Sequence, residues 1–370
     1  MQFSISRDAI LKPLQLAAGV VERRHTLPVL ANILLTLKDG ALEITGTDLE
    51  VELIGRAVVG DMRQEGEVTV PGKKLLDICK ALPDDAMLEI STDDSKVVVK
   101  AGRSKFTLAT MPASDFPVTV DEPGTFELKV PRSDLKSLID ACSFAMAQQD
   151  VRYYLNGMLF ELGESWLRVV ATDGHRLAMC TTGAVTGIEQ ENHQVIVPRK
   201  GVMELSRLLS ESGEDELTLL FGMSHIRVRL NDFTFTSKLV DGRFPDYQRV
   251  LPRGGDKVMV GDKTALRQTF NRASILSNEK YRGVHLILSQ DELKVVANNP
   301  EQEEAEDLVA VEYGGEPLEI GFNVSYLLDV LNALDSDKVK FTLLDANSSA
   351  LLESGSANLD ALYVVMPMRL

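Results

Sequence analysis

The segment VPRKGVMELSRLL, residues 197–209, occurs in related form at two other places in this 370-residue chain. VPGKKLLDICKAL at 70–82 and FNVSYLLDVLNAL at 322–334 align with it without a gap. Each copy begins with a β-like residue followed by proline or asparagine, which are residue types that start helices. Apolar residues then recur at helical spacing. The pattern predicts one amphipathic helix of about three turns, present three times at near-equal intervals.

A second helical segment and two β-rich segments accompany each copy of this helix. The upstream segments SRDAILKPLQLAAGVV, PRSDLKSLIDACSFAM and GDKTALRQTFNRASIL are helical, and the segments that follow alternate apolar and polar residues around turns, as hairpins do. Turn-rich DEPGT (121–125) and PRGGD (252–256) separate the units. We therefore predict an α+β fold of three tandem copies of a two-helix, β-hairpin-rich domain, at residues 1–123, 124–253 and 254–370.

The composition is that of a globular protein with substantial cores. Hydrophobic residues make up 44% of the chain, and it has no run of about 18 apolar residues and no secretory signal, so we expect a cytoplasmic protein. Cys79, Cys142 and Cys180 lie far apart within apolar runs, which predicts small buried hydrophobic residues rather than disulfides or zinc ligands. The net charge of −16 would normally argue against nucleic acid as a partner, an objection that the distribution of the charge has to answer.

That charge is unevenly distributed along the chain. Counted over residues 7–24, 70–82, 132–146, 197–209, 262–276 and 322–334, the six predicted helical segments carry a net +7, so the remainder must carry −23 to give the total of −16. Solvated helix faces would carry glutamate in similar number, whereas glutamate is nearly absent from these segments. Basic helices in an acidic chain fit a protein that encloses a polyanion and contacts its backbone independently of sequence. Gene duplication without a functional consequence is the alternative.

Helix dimensions connect this charge pattern to an assembly. Six helices packed about 10 Å apart in a closed ring leave a hole of roughly 9 Å, too narrow for a duplex. Twelve helices leave roughly 28 Å, which admits a B-form duplex about 20 Å wide. Because one chain supplies six helices, two chains would make such a ring.

Five further segments carry a family resemblance that extends over all three repeats. They are QDVRYYLNGMLFE (149–161), ATDGHRLA (171–178), VDGRFPDY (240–247), NNPEQEEAE (298–306) and the terminal YVVMPMRL (363–370). In these the chain resembles the bacterial DNA polymerase III β subunits, the sliding clamps. The resemblance implies a non-catalytic processivity factor, a head-to-tail homodimeric ring of six similar domains around double-stranded DNA. Replicative polymerase, clamp loader and other polymerases and repair proteins would dock on one face.

The resemblance also implies two sets of site residues. The first is a hydrophobic groove for partner peptides, built from the terminal MPMRL and the ATDGHRL loop: Leu155, Thr172, Gly174, His175, Arg176, Leu177, Pro245, Arg249, Val250, Tyr326, Ser349, Val364, Met366, Pro367, Met368, Arg369 and Leu370. The second is a DNA-facing set: Arg24, Lys74, Gln149, Arg152, Tyr153, Arg199 and Lys200. Methionines suit a surface that accepts several different peptides, since they repack easily.

Ring closure is expected between the first repeat of one chain and the third repeat of the other. The tail strand around Lys105 would be an unpaired edge, which has to be covered. The resemblance places Ile275 and Leu276 opposite it, with basic residues facing acidic ones. The predicted interface set is Arg103, Lys105, Phe106, Leu108, Ile275, Leu276, Glu301, Glu303 and Glu304.

Two other classes of function are weighed against this one. An enzyme could use Asp173 and His175 as a base and its orienter, yet no Ser or Cys nucleophile is evident nearby in the sequence. There is no P-loop, no HExxH and no CxxC pair, and the acidic NNPEQEEAE lacks the alternation of a calcium loop. We therefore expect no catalytic residue, no cofactor and no metal. A scaffold that never contacts DNA would leave the +7 charge of the helical segments unexplained.

Overall fold

A computed structural model describes residues 1–21, 27–93, 95–119, 126–184, 193–210, 216–230, 232–354 and 360–369. Two residues of the predicted sites, Arg24 and Leu370, lie outside this part. The chain divides into two compact units, residues 1–131 with 214–239 and residues 132–213 with 240–370. In the part that is described, no helix is long and apolar enough to span a membrane.

The first repeat alternates strands with two helices. Its elements are β1 (Gln2–Ser6), α1 (Arg7–Val20), β2 (Asn32–Lys38), β3 (Ala41–Thr47), β4 (Val51–Val58), β5 (Asp61–Gln64), β6 (Gly66–Pro71), α2 (Gly72–Ala81), β7 (Met87–Asp93), β8 (Lys96–Ala101) and β9 (Ser104–Ala109). Its core lies between the sheets and both helices, where Ile5, Leu14, Ile44, Leu75 and Ile90 are fully buried.

The second and third repeats have the same order. The second consists of β10 (Phe126–Pro131), α3 (Arg132–Cys142), β11 (Gly157–Leu162), β12 (Trp166–Thr172), β13 (Arg176–Gly183), β14 (His193–Pro198), α4 (Arg199–Leu209), β15 (Glu216–Phe221), β16 (His225–Arg229) and β17 (Phe233–Lys238). The third consists of β18 (Lys257–Asp262), α5 (Lys263–Ser274), β19 (Gly283–Ser289), β20 (Glu292–Asn298), β21 (Glu304–Ala310), β22 (Leu318–Asn323), α6 (Val324–Ala333), β23 (Lys338–Leu343), β24 (Ala350–Ser354) and β25 (Asp360–Val365). The α+β prediction with three tandem two-helix units is confirmed.

The triplicated helix is the second helix of each repeat, and it begins at the third residue of each quoted segment. Helices α2, α4 and α6 begin directly after Pro71, Pro198 and Asn323, so the first two residues of each quoted segment end a strand. The sequence pattern missed the strand before each first helix (β1, β10 and β18). Each of these short strands pairs with a strand that follows the second helix, and local periodicity cannot reveal so distant a partner.

Four antiparallel sheets connect the repeats. Their strand orders are β5-β1-β7-β8-β9, β10-β15-β16-β17-β4-β3-β2-β6, β14-β11-β12-β13-β25-β24-β23-β18 and β21-β20-β19-β22. Each eight-stranded sheet joins two successive repeats, through β17 with β4 and through β13 with β25. In both cases the third strand after the first helix pairs with the last strand of the next repeat. The equivalent strands β21 and β9 are at the edges of their own sheets.

The first residue of each first helix is a cation that caps the second helix of the same repeat. Arg7 Nε donates to the Cys79 carbonyl at 3.0 Å, Arg132 Nη2 to Leu208 at 2.7 Å, and Lys263 Nζ to the Leu334 carbonyl at 2.9 Å. A cation at this end of a helix also offsets the helix dipole. Three of the cations counted in the helical charge are therefore engaged inside the repeats, which corrects the expectation that all of this charge is available to contact a polyanion.

Candidate functional site

An apolar cleft of about 190 Å³ opens in the second unit, beside the pairing of β13 with β25. Its lining residues are Arg152, Tyr154, Leu155, Thr172, Gly174, Arg176, Leu177, Pro245, Asp246, Tyr247, Val250, Val364 and Met366. The structure thus brings together nine of the predicted groove residues: Leu155, Thr172, Gly174, Arg176, Leu177, Pro245, Val250, Val364 and Met366. Below them, β11, β12 and β14 contribute buried Leu159, Val170 and Ile196.

The loop between β12 and β13 forms one side of the cleft through a network of side chain to backbone bonds. Asp173 Oδ1 accepts the amides of His175 and Arg176, at 2.9 and 3.0 Å. Thr172 Oγ1 donates to the Arg176 carbonyl at 2.6 Å and accepts the Gly174 amide at 3.1 Å. Such bonds replace ladder bonds in a tight turn, so the loop is preformed.

Arg176 ties this loop to two neighbouring elements. Its guanidinium pairs with Asp173 Oδ2 at 3.1 Å and with Asp329 Oδ2 on α6 at 2.5 Å, and it donates to the Phe144 carbonyl at 2.9 Å. It also lies over the rings of Tyr326 at 4.5 Å and Phe144 at 5.1 Å. A planar guanidinium is suited to such combined stacking and ion pairing. The Arg176 side chain is therefore fixed at the mouth of the cleft.

The C-terminal segment closes the opposite side. Val364 faces Leu177 across the β13–β25 pair, and the Met366 amide donates to the His175 carbonyl at 3.0 Å. The Met368 amide then bonds the edge of β22 at 2.8 Å. The tail is thus an ordered extension of the last strand, and Met366, 38% exposed, presents a flexible thioether to the cleft.

Several predicted groove residues lie near the cleft without lining it. His175 stacks on Tyr326 with 6.4 Å between ring centroids, beside Arg176. The side chain of Arg249 is 84% exposed and pairs with Asp246 at 2.7 Å. Ser349 is half-buried in the turn before β24. Also absent from the lining are Pro367, Met368 and Arg369.

Four cleft residues were not predicted for the groove: Arg152, Tyr154, Asp246 and Tyr247. Arg152 was assigned to DNA, but it pairs with Asp150 at 2.8 Å and donates to the Asp173 carbonyl at 3.2 Å. The bond from Arg152 lowers the pKa of Asp150 to about 2. Tyr154 and Tyr247 lie inside two of the segments that carry the family resemblance. An amphipathic ring next to apolar residues was the signal in the sequence that could have assigned them to the cleft.

The remaining DNA-facing candidates differ in how accessible they are. Lys74 on α2 and Gln149 are exposed, and Tyr153 is 57% exposed. Arg199 and Lys200, at the start of α4, are half-buried. Arg199 donates to the Met146 carbonyl at 3.2 Å, and burial, followed by the nearby charge of Arg176, lowers its pKa.

The predicted interface residues lie on or next to two sheet edges, one in each unit. Arg103, Lys105, Phe106 and Leu108 lie on β9 or directly before it. Ile275, 75% exposed, and Leu276 follow α5. Glu301, Glu303 and Glu304 are exposed at and before the start of β21. Within the described residues, no group of three His, Cys, Asp or Glu side chains is placed to hold a metal ion.

Comparison with known proteins assigns the chain to a family. Models of the DNA polymerase III beta subunit match it in three parts, the N-terminal domain at residues 1–121, the central domain at 129–246 and the C-terminal domain at 248–369. A relative from Pseudomonas aeruginosa, named beta sliding clamp, is 60% identical over 370 residues, with 100% of each chain covered.

Solved structures agree with this assignment over the whole chain. The DNA polymerase III subunit beta of Pseudomonas aeruginosa superposes with a TM-score of 0.96 at 59% identity, covering 100% of both chains. A sliding clamp from the same organism bound to griselimycin has a TM-score of 0.96 at 60% identity, again with 100% of both covered. The chain therefore belongs to the DNA polymerase III beta subunits, the sliding clamps that serve as non-catalytic processivity factors in DNA replication.

Proposed function

We propose that two copies of this chain close head to tail into a six-domain ring around double-stranded DNA and tether replication proteins to it in the cytoplasm. The domains are those expected at residues 1–123, 124–253 and 254–370. The observation that carries the proposal is the strand pairing between repeats. The same pair of strands joins the first repeat to the second and the second to the third, and it leaves β21 and β9 as the corresponding edges.

The two strand pairs that join successive repeats, β4 with β17 and β13 with β25, are called the first and second junction here. They also predict the register in which β21 of one chain would pair with β9 of the other. Glu52 faces Thr236 at the first junction and Leu177 faces Val364 at the second. Following the hairpin registers through each repeat, the equivalent pair is Glu304 of one chain and Thr107 of the other. Two residues further along β21, Glu306 then faces Lys105. An opposite-charge pair directly across an antiparallel ladder favours this alignment.

The second junction supports an apolar plug at the same interface. Phe144, twelve positions after the start of α3, packs on Tyr363 with 5.9 Å between ring centroids. Ile275 stands twelve positions after the start of α5, and Phe106 occupies the place of Tyr363. Covering Ile275 and Leu276 in this way contributes about 3 to 6 kcal/mol per interface.

The helices would face the DNA and contact it through its phosphates. The DNA-facing set we propose is Lys74, Gln149, Tyr153, Arg199 and Lys200, together with Arg24. Arg152 is assigned to the cleft instead, because it is one of the lining residues. Contacts of this kind depend on salt and carry no sequence preference.

The cleft is proposed as the docking site for extended peptides of partner proteins. Its floor is apolar, its walls are tied by hydrogen bonds, and leucine or aromatic anchors fit such a pocket. Griselimycin is bound to the solved sliding clamp from Pseudomonas aeruginosa, and we propose that it would compete with peptides for the cleft of this chain. Replicative polymerase, clamp loader and repair proteins would occupy the cleft in turn.

The ring is tested by the double variant Ile275→Ala with Leu276→Ala. We expect monomers in sedimentation velocity and loss of clamp retention on circular DNA after loading, because both interfaces lose their apolar plug. Met223→Ala is the matched control, since Met223 is 91% exposed in the turn between β15 and β16 and belongs to neither β9 nor β21. A double variant that remains dimeric at micromolar concentration would show that the chains join elsewhere.

A further inference from the structure

Behind the cleft lies a polar network that the proposed peptide contacts do not use. The ring of Tyr247 lines the cleft, while its hydroxyl points into the sheet and donates to Glu161 Oε2 at 2.5 Å. Arg168 Nη1 donates to the same hydroxyl at 3.1 Å, and Gln194 Nε2 donates to Glu161 Oε1 at 2.6 Å. Glu161 is 2% exposed. A buried carboxylate is tolerated only where donors satisfy it, as here.

The network is anchored on rigid elements. Glu161, Arg168 and Gln194 belong to β11, β12 and β14, three neighbouring strands of the eight-stranded sheet. Arg168 is also fixed by stacking on Trp166 at 4.3 Å and by donating from Nε to Thr181 Oγ1 at 3.0 Å. Strand-borne groups whose own partners are fixed hold a third group more exactly than a loop can.

The segment that the network holds is a wall of the cleft. Tyr247–Arg249 form a 3-10 turn whose backbone bonds remain within the turn, from Arg249 to Asp246 and from Val250 to Tyr247. Pro245, Asp246 and Val250 on either side line the cleft. Burial, and after it the bond to Glu161, raises the pKa of Tyr247 above its usual value of about 10, at which the hydroxyl is already a donor at neutral pH.

We infer that Glu161 and Arg168 are positioning residues for peptide binding, which they serve by fixing the Tyr247 hydroxyl and with it the cleft wall. The inference rests on the proposed docking function of the cleft. Neither residue has to touch the peptide. Their effect is to keep the wall in its binding position before the peptide arrives, so that binding does not have to order it.

Loss of the hydrogen bonds to the Tyr247 hydroxyl has a calculable effect on peptide affinity. The apparent Kd of a peptide rises in proportion as the competent state becomes less populated. If the untethered wall holds its binding position about a tenth of the time, the Kd rises about tenfold. Tyr247→Phe is the direct variant, because it keeps the ring in the cleft and removes only the hydroxyl.

The experiment compares Tyr247→Phe with Tyr363→Phe in the full-length protein. Tyr363 is a buried tyrosine of the same unit whose hydroxyl has no hydrogen-bond partner within the described residues, so its removal is a matched control. The probe is a fluorescein-labelled peptide from the tail of the replicative polymerase, and its anisotropy gives Kd. Thermal unfolding and sedimentation are measured on the same samples, because a purely structural role would change Tm and leave Kd unchanged.

We expect the Kd of Tyr247→Phe to rise about tenfold and that of Tyr363→Phe to remain within about twofold of the wild type. A Kd for Tyr247→Phe within twofold of the wild type would overturn the inference while leaving the docking function intact. Failure of the wild-type protein itself to bind the probe would contradict the docking function, and the positioning role would fall with it.

Discussion

The two junctions between successive repeats are built on the same strand pair, yet they present different surfaces. At the second junction Leu177, 3% exposed, faces Val364 and forms part of an open cleft. At the first junction the equivalent residue is Glu52, 4% exposed, which faces Thr236. Its carboxylate accepts the amide of Thr119 at 2.8 Å, so the chain covers its own strand there.

The loops before these two strands are nearly identical in their bonding. Thr47 and Thr172 each donate from Oγ1 to the carbonyl four residues on, at 2.9 and 2.6 Å. Asp48 and Asp173 each accept the amides two and three residues on, at 2.8 to 3.0 Å. The two loops thus share one backbone scaffold. The difference teaches that the surface at each junction depends on a few side chains of the paired strands, and not on the loop before them.

The largest loss of stability and peptide affinity is expected when Leu177 at the second junction is replaced by glutamate, the residue type of Glu52 at the first. Leu177→Glu buries a carboxylate in an apolar cleft whose two arginines already have carboxylate partners, Arg152 in Asp150 and Arg176 in Asp173 and Asp329. We expect the free energy of unfolding to fall by about 3 kcal/mol and the peptide affinity to fall at least a hundredfold. Urea unfolding and anisotropy titration measure the two effects. Leu177→Met, which keeps the volume, should cost less than about 1.5 kcal/mol, and an equal loss in both variants would contradict the role of charge.

A smaller effect is expected at the loop residue that differs between the junctions. Gly174 has φ +89°, and a Cβ there would come within 2.9 Å of Arg152 Nη1. The first junction has Leu49 at the equivalent position, with φ 76°. Gly174→Ala should therefore reduce the free energy of unfolding by about 1 kcal/mol from backbone strain and should displace Arg152. Leu49→Gly, in which that strain is relieved, is the reciprocal variant, and destabilisation there would reverse the argument.

The smallest effect concerns Glu52 and depends on pH. Burial raises the pKa of Glu52, against bonds from Thr119 and the nearby charge of Arg227, which lower it. A folded-state pKa above the unfolded value of about 4.5 means that stability is lost as the pH rises through the folded pKa. Glu52→Gln should thus be more stable than the wild type at pH 7.

That advantage should vanish below about pH 4.5, where Glu52 is protonated in both the folded and the unfolded state. Denaturant unfolding of both proteins from pH 4 to pH 8 measures the difference. A constant difference across that range would show that the carboxylate is not the cause.

The sequence predicted the elements whose signal is local and repeated. The helices α2, α4 and α6 and the meanders between them follow from periodicity, and their N-caps were located to the residue. The cleft was predicted through family motifs only in part. Tyr247 and Arg152 were not predicted as cleft residues. Each lines the cleft and also bonds to residues outside it, and no periodic pattern in the sequence indicates such a double role. The capping cations Arg7, Arg132 and Lys263 were counted in the net charge available to a polyanion for the same reason.

Calorimetric titration of the full-length protein with the polymerase-tail peptide tests the central claim that peptides bind at the second junction. We expect one peptide bound per wild-type chain, one per chain of Glu52→Gln with unchanged affinity, and no binding to Leu177→Glu. Binding that persists in Leu177→Glu, or that is lost in Glu52→Gln, would contradict the account.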